Sequence, residues 1–83
     1  MKNCLITFRS VTPAQRAELA LRRAGVDCVM RRTAKWMEEQ GCGYSLHLNC
    51  EQLPGAVEFM RAKGIHYGKV YRKGDGEPQE LTL

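Results

Sequence analysis

No apolar run in these 83 residues is long enough to cross a membrane as a helix, which removes the transmembrane class at the outset. The opening, Met1-Lys2-Asn3-Cys4-Leu5-Ile6-Thr7-Phe8, carries a lysine but neither an extended apolar region nor a small-residue cleavage site. The expectation is therefore no secretory signal and a cytoplasmic location. Aromatic residues are scarce at 7%, too few for the aromatic-rich segment of an RNA-recognition sheet. The cysteines, Cys4, Cys28, Cys42 and Cys50, include no Cys-x-x-Cys pair, and His47 and His66 are far apart. A local zinc site lacks its usual spacing, so neither a metal nor any other cofactor is expected. In a reducing cytosol a disulfide framework is not expected either. Internal repeats and a domain linker are also missing, and the length suits one small core.

What is present is a mildly basic chain. Thirteen Lys and Arg stand against nine Asp and Glu, for a net charge of +4. Asp75, Glu77 and Glu80 fall in the last stretch, so the body is more basic than the total. Such a body can attract anions or an acidic partner, although most charges of this kind are solvated surface.

Punctuation along the chain is clear. Asn3 to Arg9 is β-prone, and Thr12-Pro13-Ala14-Gln15 reads as a capping box with proline at the first helical position. Ala14, Ala17, Leu21 and Ala24 recur at helical spacing until Gly25 stops the helix. Val26 to Arg32 reads as a second strand, and Thr33 to Gly41 as a polar connection with a short helical turn around Trp36-Met37-Glu38. Tyr44 to Leu48 alternates, with Tyr44, Leu46 and Leu48 on one face and Ser45 and His47 on the other. A second helix follows, capped by Asn49 or Cys50, with Pro54 in its first turn, an apolar stripe of Leu53, Ala56, Val57 and Met60, and Gly64 at its end. Ile65 to Arg72 reads as the last strand.

The order β-α-β-β-α-β predicts an α+β, ferredoxin-like domain over residues 1–72, with a flexible C-terminal tail at 73–83. Two helices would lie on one face of a four-stranded antiparallel sheet whose first and third strands are central. That topology gathers the end of strand one, the start of helix one, the end of strand two and the starts of strands three and four at one edge. Cys42, between Gly41 and Gly43, would then sit near Ser10 and Thr12, near Arg31 to Lys35, and within range of His66.

A thiol at such a place is chemically interesting, because nearby cations and a helix N-terminus favour the thiolate. Arg9, Arg32 and Lys35 are the candidate cations, and the two glycines leave the sulfur open to a partner's backbone. The competing reading makes Cys42 a small residue in a tight loop, with the glycines serving backbone angles alone. Cys4 and Cys28 read as small core residues, and Cys50 as structural at the opposite edge. His47 reads as a solvated sheet residue and His66 as a surface residue, with proton transfer the lesser reading for His47. Trp36 and Met37 would cover an edge of the core.

Several features together resemble a known family: Phe8-Arg9-Ser10, the alanine-rich helix ending in Ala24-Gly25, and Cys42-Gly43 opening the third strand. Gly64-Ile65 ending the second helix and the final Val70-Tyr71-Arg72 complete the set. From Leu5 to Arg72 the chain is similar to the bacterial domain family of unknown function described as Putative Se/S carrier protein-like. The resemblance implies a carrier, rather than a stand-alone enzyme, that holds sulfur or selenium on Cys42 as a persulfide or selenopersulfide. Gly41, Gly43, Arg32, Lys35, Ser10 and Thr12 would support it, and its partners would be donor and acceptor proteins. Two departures stand out. Thr33-Ala34-Lys35 replaces a Thr-Pro-Arg type segment, which keeps the charge but loses the planar fork of arginine. Tyr44 takes the place of a small apolar residue after the Cys-Gly pair.

The alternative is a regulatory module that binds RNA, a small ligand or a partner on the sheet face away from the helices. Thr7, Arg9, His47, Lys69 and Tyr71 would line that face. A thiol redox sensor at Cys42 is a third reading, and pairing through an exposed second or fourth strand would give a homodimer.

Overall fold

The computed structural model describes residues 2–32, 43–73 and 78–81. The first strand, β1 (Cys4–Phe8), is buried along its whole length. Such a run requires cover on both faces, which makes it a central strand. Helix α1 (Val11–Arg23) follows, then β2 (Cys28–Arg32) and, after residues 33–42, β3 (Tyr44–Leu48). A single 3₁₀ turn at Cys50–Gln52 leads into α2 (Leu53–Ala62), and β4 (Val70–Arg72) and β5 (Gln79–Leu81) complete the described elements. Together the strands form one antiparallel sheet in the order β2-β3-β1-β4-β5. β1 and β3 occupy interior positions, as the element order implies. The sheet has five strands where the sequence pattern suggests four, because Gln79–Leu81 pairs with the outer edge of β4. Three residues after a turn-rich stretch give too short a pattern to read as a strand without its neighbour.

Strand alternation sorts the side chains. Cys4, Ile6 and Phe8 from β1, Cys28 from β2, and Leu46 and Leu48 from β3 pack in the core with Ala14, Ala17 and Leu21 of α1. Leu53, Ala56, Val57 and Met60 of α2 complete that layer, the stripe read from their spacing. Each fully buried Leu or Phe here contributes about 1.5–3 kcal/mol by leaving water. The opposite face is not bare. Leu5 and Tyr71 form a small buried cluster, and Thr7 and Ser45 are buried with them on the same alternation.

Both helices end in the same way. Val26 N–H reaches Leu21 O at 2.9 Å and Gly25 N–H reaches Arg22 O at 3.0 Å. Ile65 N–H reaches Met60 O at 2.9 Å and Gly64 N–H reaches Arg61 O at 3.2 Å. These are Schellman pairs, and they need a left-handed residue, supplied by Gly25 at φ 90° and Gly64 at φ 69°. The N-terminus of α1 differs from the expected capping box. Its N-cap is Ser10, not Thr12, and Ser10 makes no side-chain capping bond. Helix α1 starts two residues earlier because Pro13 is third in the first turn, where a missing N–H costs no intrahelical bond.

The free edge of β2 is closed by side chains of α1. Glu18 Oε2 accepts the Met30 N–H at 2.7 Å, and Arg22 Nε donates to Cys28 O at 3.0 Å. Glu18 and Arg22, one turn apart, are themselves 3.7 Å apart as an ion pair. Unpaired backbone groups of an edge strand are thereby occupied. With β5 on β4, both edges that sequence reasoning leaves open for a homodimer are partly or wholly taken.

The largest correction concerns Cys4 and Cys50. Cys4 is a core residue as expected, but it is bonded to Cys50 in a disulfide spanning 46 positions, with Cα atoms 5.0 Å apart. Cys4 lies opposite Leu48 in the ladder, so the turn two residues later brings Cys50 back over the start of β1. Sequence spacing holds no sign of this, because the two thiols meet only through strand register.

Candidate functional site

The sheet end at which β1 finishes is the place to which the sequence assigns its candidate site. Register puts Phe8, Tyr44 and Arg32 in one cross-strand row there. Arg9 and Ser10, the N-cap of α1, follow β1 in the chain, and Gly43 precedes β3. Arg32, Gly43, Arg9 and Ser10 therefore lie at the same end of the sheet. Arg9, Ser10, Thr12 and Arg32 are all exposed, and Gly43 is half-buried.

The electrostatics of this end favour an anion. The first turn of α1 holds no acidic residue, and the Ser10 hydroxyl caps none of its amides. Their partial positive charge is left for water or a ligand. Arg32 is partly committed elsewhere: its guanidinium carbon stands 5.8 Å from the centre of the Tyr44 ring. Tyr44, the residue that departs from the small apolar type, thus orients the very arginine expected to balance an anion.

Gly43 is informative because the fold makes no demand on it. It is not among the positive-φ glycines, and a Cβ built there would meet nothing within 4 Å. Nothing among the described residues requires its lack of a side chain. Cys42, Gly41 and Lys35 lie outside the described residues, as do Thr33, Ala34, Trp36 and Met37.

The remaining thiols and imidazoles are placed clearly. Cys28 is buried, and its sulfur donates toward Glu18 O at 3.8 Å. Burial pushes its thiol above the usual range, against a smaller opposing pull from Arg22. The Cys4–Cys50 pair sits at the other end of β1, about 13 Å away along a five-residue strand. His66 is exposed, in the irregular segment before β4, which begins at Val70 and not at Ile65 as the pattern suggests.

The face away from the helices is more enclosed than a ligand platform would be. Of the residues expected to line it, Thr7 and Tyr71 are buried, while Arg9 and Lys69 are exposed. Thr7 Oγ1 donates to Lys69 O at 3.2 Å and accepts Lys69 N–H at 2.8 Å, clasping the chain that enters β4. His47 is half-buried rather than solvated, with Nε2 3.0 Å from Ser45 Oγ. Ser45 Oγ in turn lies 3.4 Å from Arg31 O. If the hydroxyl proton goes to that carbonyl, Nε2 is the donor in the Ser45–His47 bond. Burial first, then Lys73 and Arg31, hold the imidazole below its ordinary pKa, so it is neutral at pH 7. Alternation alone shows which face Ser45 and His47 share. It does not show that the face is covered, so the sequence reading misses this pair as a buried polar contact.

Among the described residues no cluster of three His, Cys, Asp or Glu could hold a metal ion, and no helix is long and apolar enough to cross a membrane. The family model described as Putative Se/S carrier protein-like matches residues 3–72. The chain belongs to that family. The match runs from just before β1 to the end of β4, so the Se/S carrier-like region includes both helices and the Cys42-Gly43 pair. No curated protein and no solved structure matches the chain significantly.

Proposed function

We propose that this protein is a small sulfur or selenium carrier, on a ferredoxin-like scaffold, that holds its cargo on Cys42. The observation that carries the reading is family membership across residues 3–72, a span that contains Cys42-Gly43. Support comes from the sheet end at which Arg9, Arg32 and the uncapped start of α1 lie together with Gly43, the residue next to Cys42 in the chain.

In loading, the Cys42 thiolate attacks the outer atom of a donor persulfide. A new sulfur–sulfur bond forms at Cys42, the donor's own bond breaks, and the donor leaves as a thiol after taking up a proton. Cys42 then carries an anionic terminal sulfur, or selenium when the donor is a selenopersulfide. Delivery reverses the logic: an acceptor nucleophile takes the terminal atom and Cys42 returns as thiolate. Neither step needs an external oxidant or reductant. Arg32, Lys35 and the first amides of α1 would favour the anion, and Gly41 and Gly43 would admit the partner's backbone. Donor and acceptor are proteins, and the proposed location is the cytoplasm, where the Cys4–Cys50 disulfide is an exception to the usual reduced state of thiols.

The test is mass spectrometry after incubation with a small-molecule persulfide. Wild-type protein should gain one sulfur atom, lost again on reduction and mapped to Cys42. Cys42→Ser should gain none there. Equal loading of the serine variant removes the carrier assignment and leaves a regulatory or sensing module.

A further inference from the structure

A groove of about 520 Å³ runs along the outer surface of the helix layer, remote from the buried sheet face. Its floor is apolar: Leu19, Ala20 and Ala24 of α1 and its C-cap face Phe59 of α2. Leu19 is 53% exposed and is the one large hydrophobic residue so exposed among those described. It sits on a short helix face whose flanking residues, Ala20 and Ala24, are too small to cover it. Arg16 and Arg23 stand on one wall and Lys63 on the other. None of these three has a carboxylate partner among the described residues, and Lys63 Nζ lies 5.6 Å from the centre of the Phe59 ring. Elsewhere three cations are paired: Lys2 with Asp27, Arg22 with Glu18 and Lys69 with Glu80. In this groove an apolar floor and an unpaired basic rim coincide.

We infer that this groove docks an acidic amphipathic segment of a partner protein. An apolar side chain would enter between Leu19 and Phe59, and flanking carboxylates would meet Arg16, Arg23 and Lys63. Charge selects this occupant over the others. A second copy of the same face, meeting it about a two-fold axis, would bring like charges together over the apolar floor. A lipid surface calls for an apolar ridge that projects, whereas the floor here is recessed between two helices and only Leu19 stands clear. Nucleic acid would gain phosphate contacts but leave the apolar floor unmatched, with no exposed ring for stacking. The inference does not depend on Cys42, and its test reads binding alone.

The probe is a fluorescein-labelled synthetic helical peptide with leucine and phenylalanine in one stripe and glutamates on both sides. Fluorescence anisotropy should show saturable binding that weakens as salt rises from about 0.05 M to about 0.5 M. Arg16→Glu with Arg23→Glu should weaken it about tenfold or more, as should Leu19→Ser, and a peptide with lysine for glutamate should not bind. All three positions are exposed, so an unchanged circular dichroism spectrum confirms that the variants fold. Absence of saturable binding, or binding indifferent to both variants, overturns the inference. So does pelleting with anionic phosphatidylserine vesicles, or a dimer lost in Leu19→Ser, when the peptide does not bind.

Discussion

Reducing the Cys4–Cys50 bond tests the fold at the point where it departs most from expectation. The bond joins the start of a central strand to the turn that opens α2, across 46 positions. Closing a loop of that length removes unfolded-state entropy equivalent to about 4 kcal/mol at 25 °C. A domain of this size is stable by roughly 4–12 kcal/mol in all, so the link represents a large share. With a urea slope near the low end for small proteins, the unfolding midpoint should fall by about 3 M when the bond is reduced. The assay is urea unfolding followed by far-ultraviolet circular dichroism, on protein purified without reductant and on the same protein after reduction. Alkylation in denaturant, with peptide mapping, should label Cys4 and Cys50 only in the reduced sample. The double variant Cys4→Ala, Cys50→Ala should unfold near the reduced wild type, shifted a little further by the small cavity at buried Cys4. The reasoning fails if Cys4 and Cys50 are labelled in unreduced protein. It fails equally if mapping finds the bond but reduction moves the midpoint by less than about 0.5 M.

Two further outcomes follow from burial. Cys28 has a raised thiol pKa and no exposure, so iodoacetamide at pH 7.5 should leave it unmodified in native protein and modify it fast in urea; native labelling at the unfolded rate would contradict its placement. His47 has a folded pKa below its unfolded value of about 6.5, so the unfolded chain takes up a proton first as pH falls. Its contribution is complete above the unfolded pKa and declines below it until the folded pKa is passed. Urea midpoints measured from pH 7.5 to pH 5 should therefore decrease, and His47→Gln should flatten that part of the curve; an unchanged slope in the variant assigns the effect to other groups.

The element order was legible because each boundary has a local physical cause. Gly25 and Gly64 stop helices since only a left-handed residue completes their final hydrogen bonds, and that preference is written in the residue itself. The stripe Leu53, Ala56, Val57 and Met60 follows from the period of the helix, and the range of β3 from strict alternation. The helix start at Ser10 was misread at Thr12 because a proline fits more than one position of the first turn.

The sequence by itself determined the β-α-β-β-α-β order, the core face of each element and the pairing of a candidate cysteine with glycine at the start of β3. Family resemblance, residue by residue, pointed to the carrier class, and the family match covers the same region. Only the tertiary structure decided which distant groups meet. Register joined Cys4 to Cys50, aligned Arg32 with Tyr44, brought Glu18 to the edge of β2, and placed Gln79–Leu81 beside β4. It also covered Thr7 and Ser45 on a face that alternation assigns to solvent. Local chemistry fixes what a segment becomes. Long-range pairing fixes what it touches, because a strand's neighbours are chosen by the whole sheet.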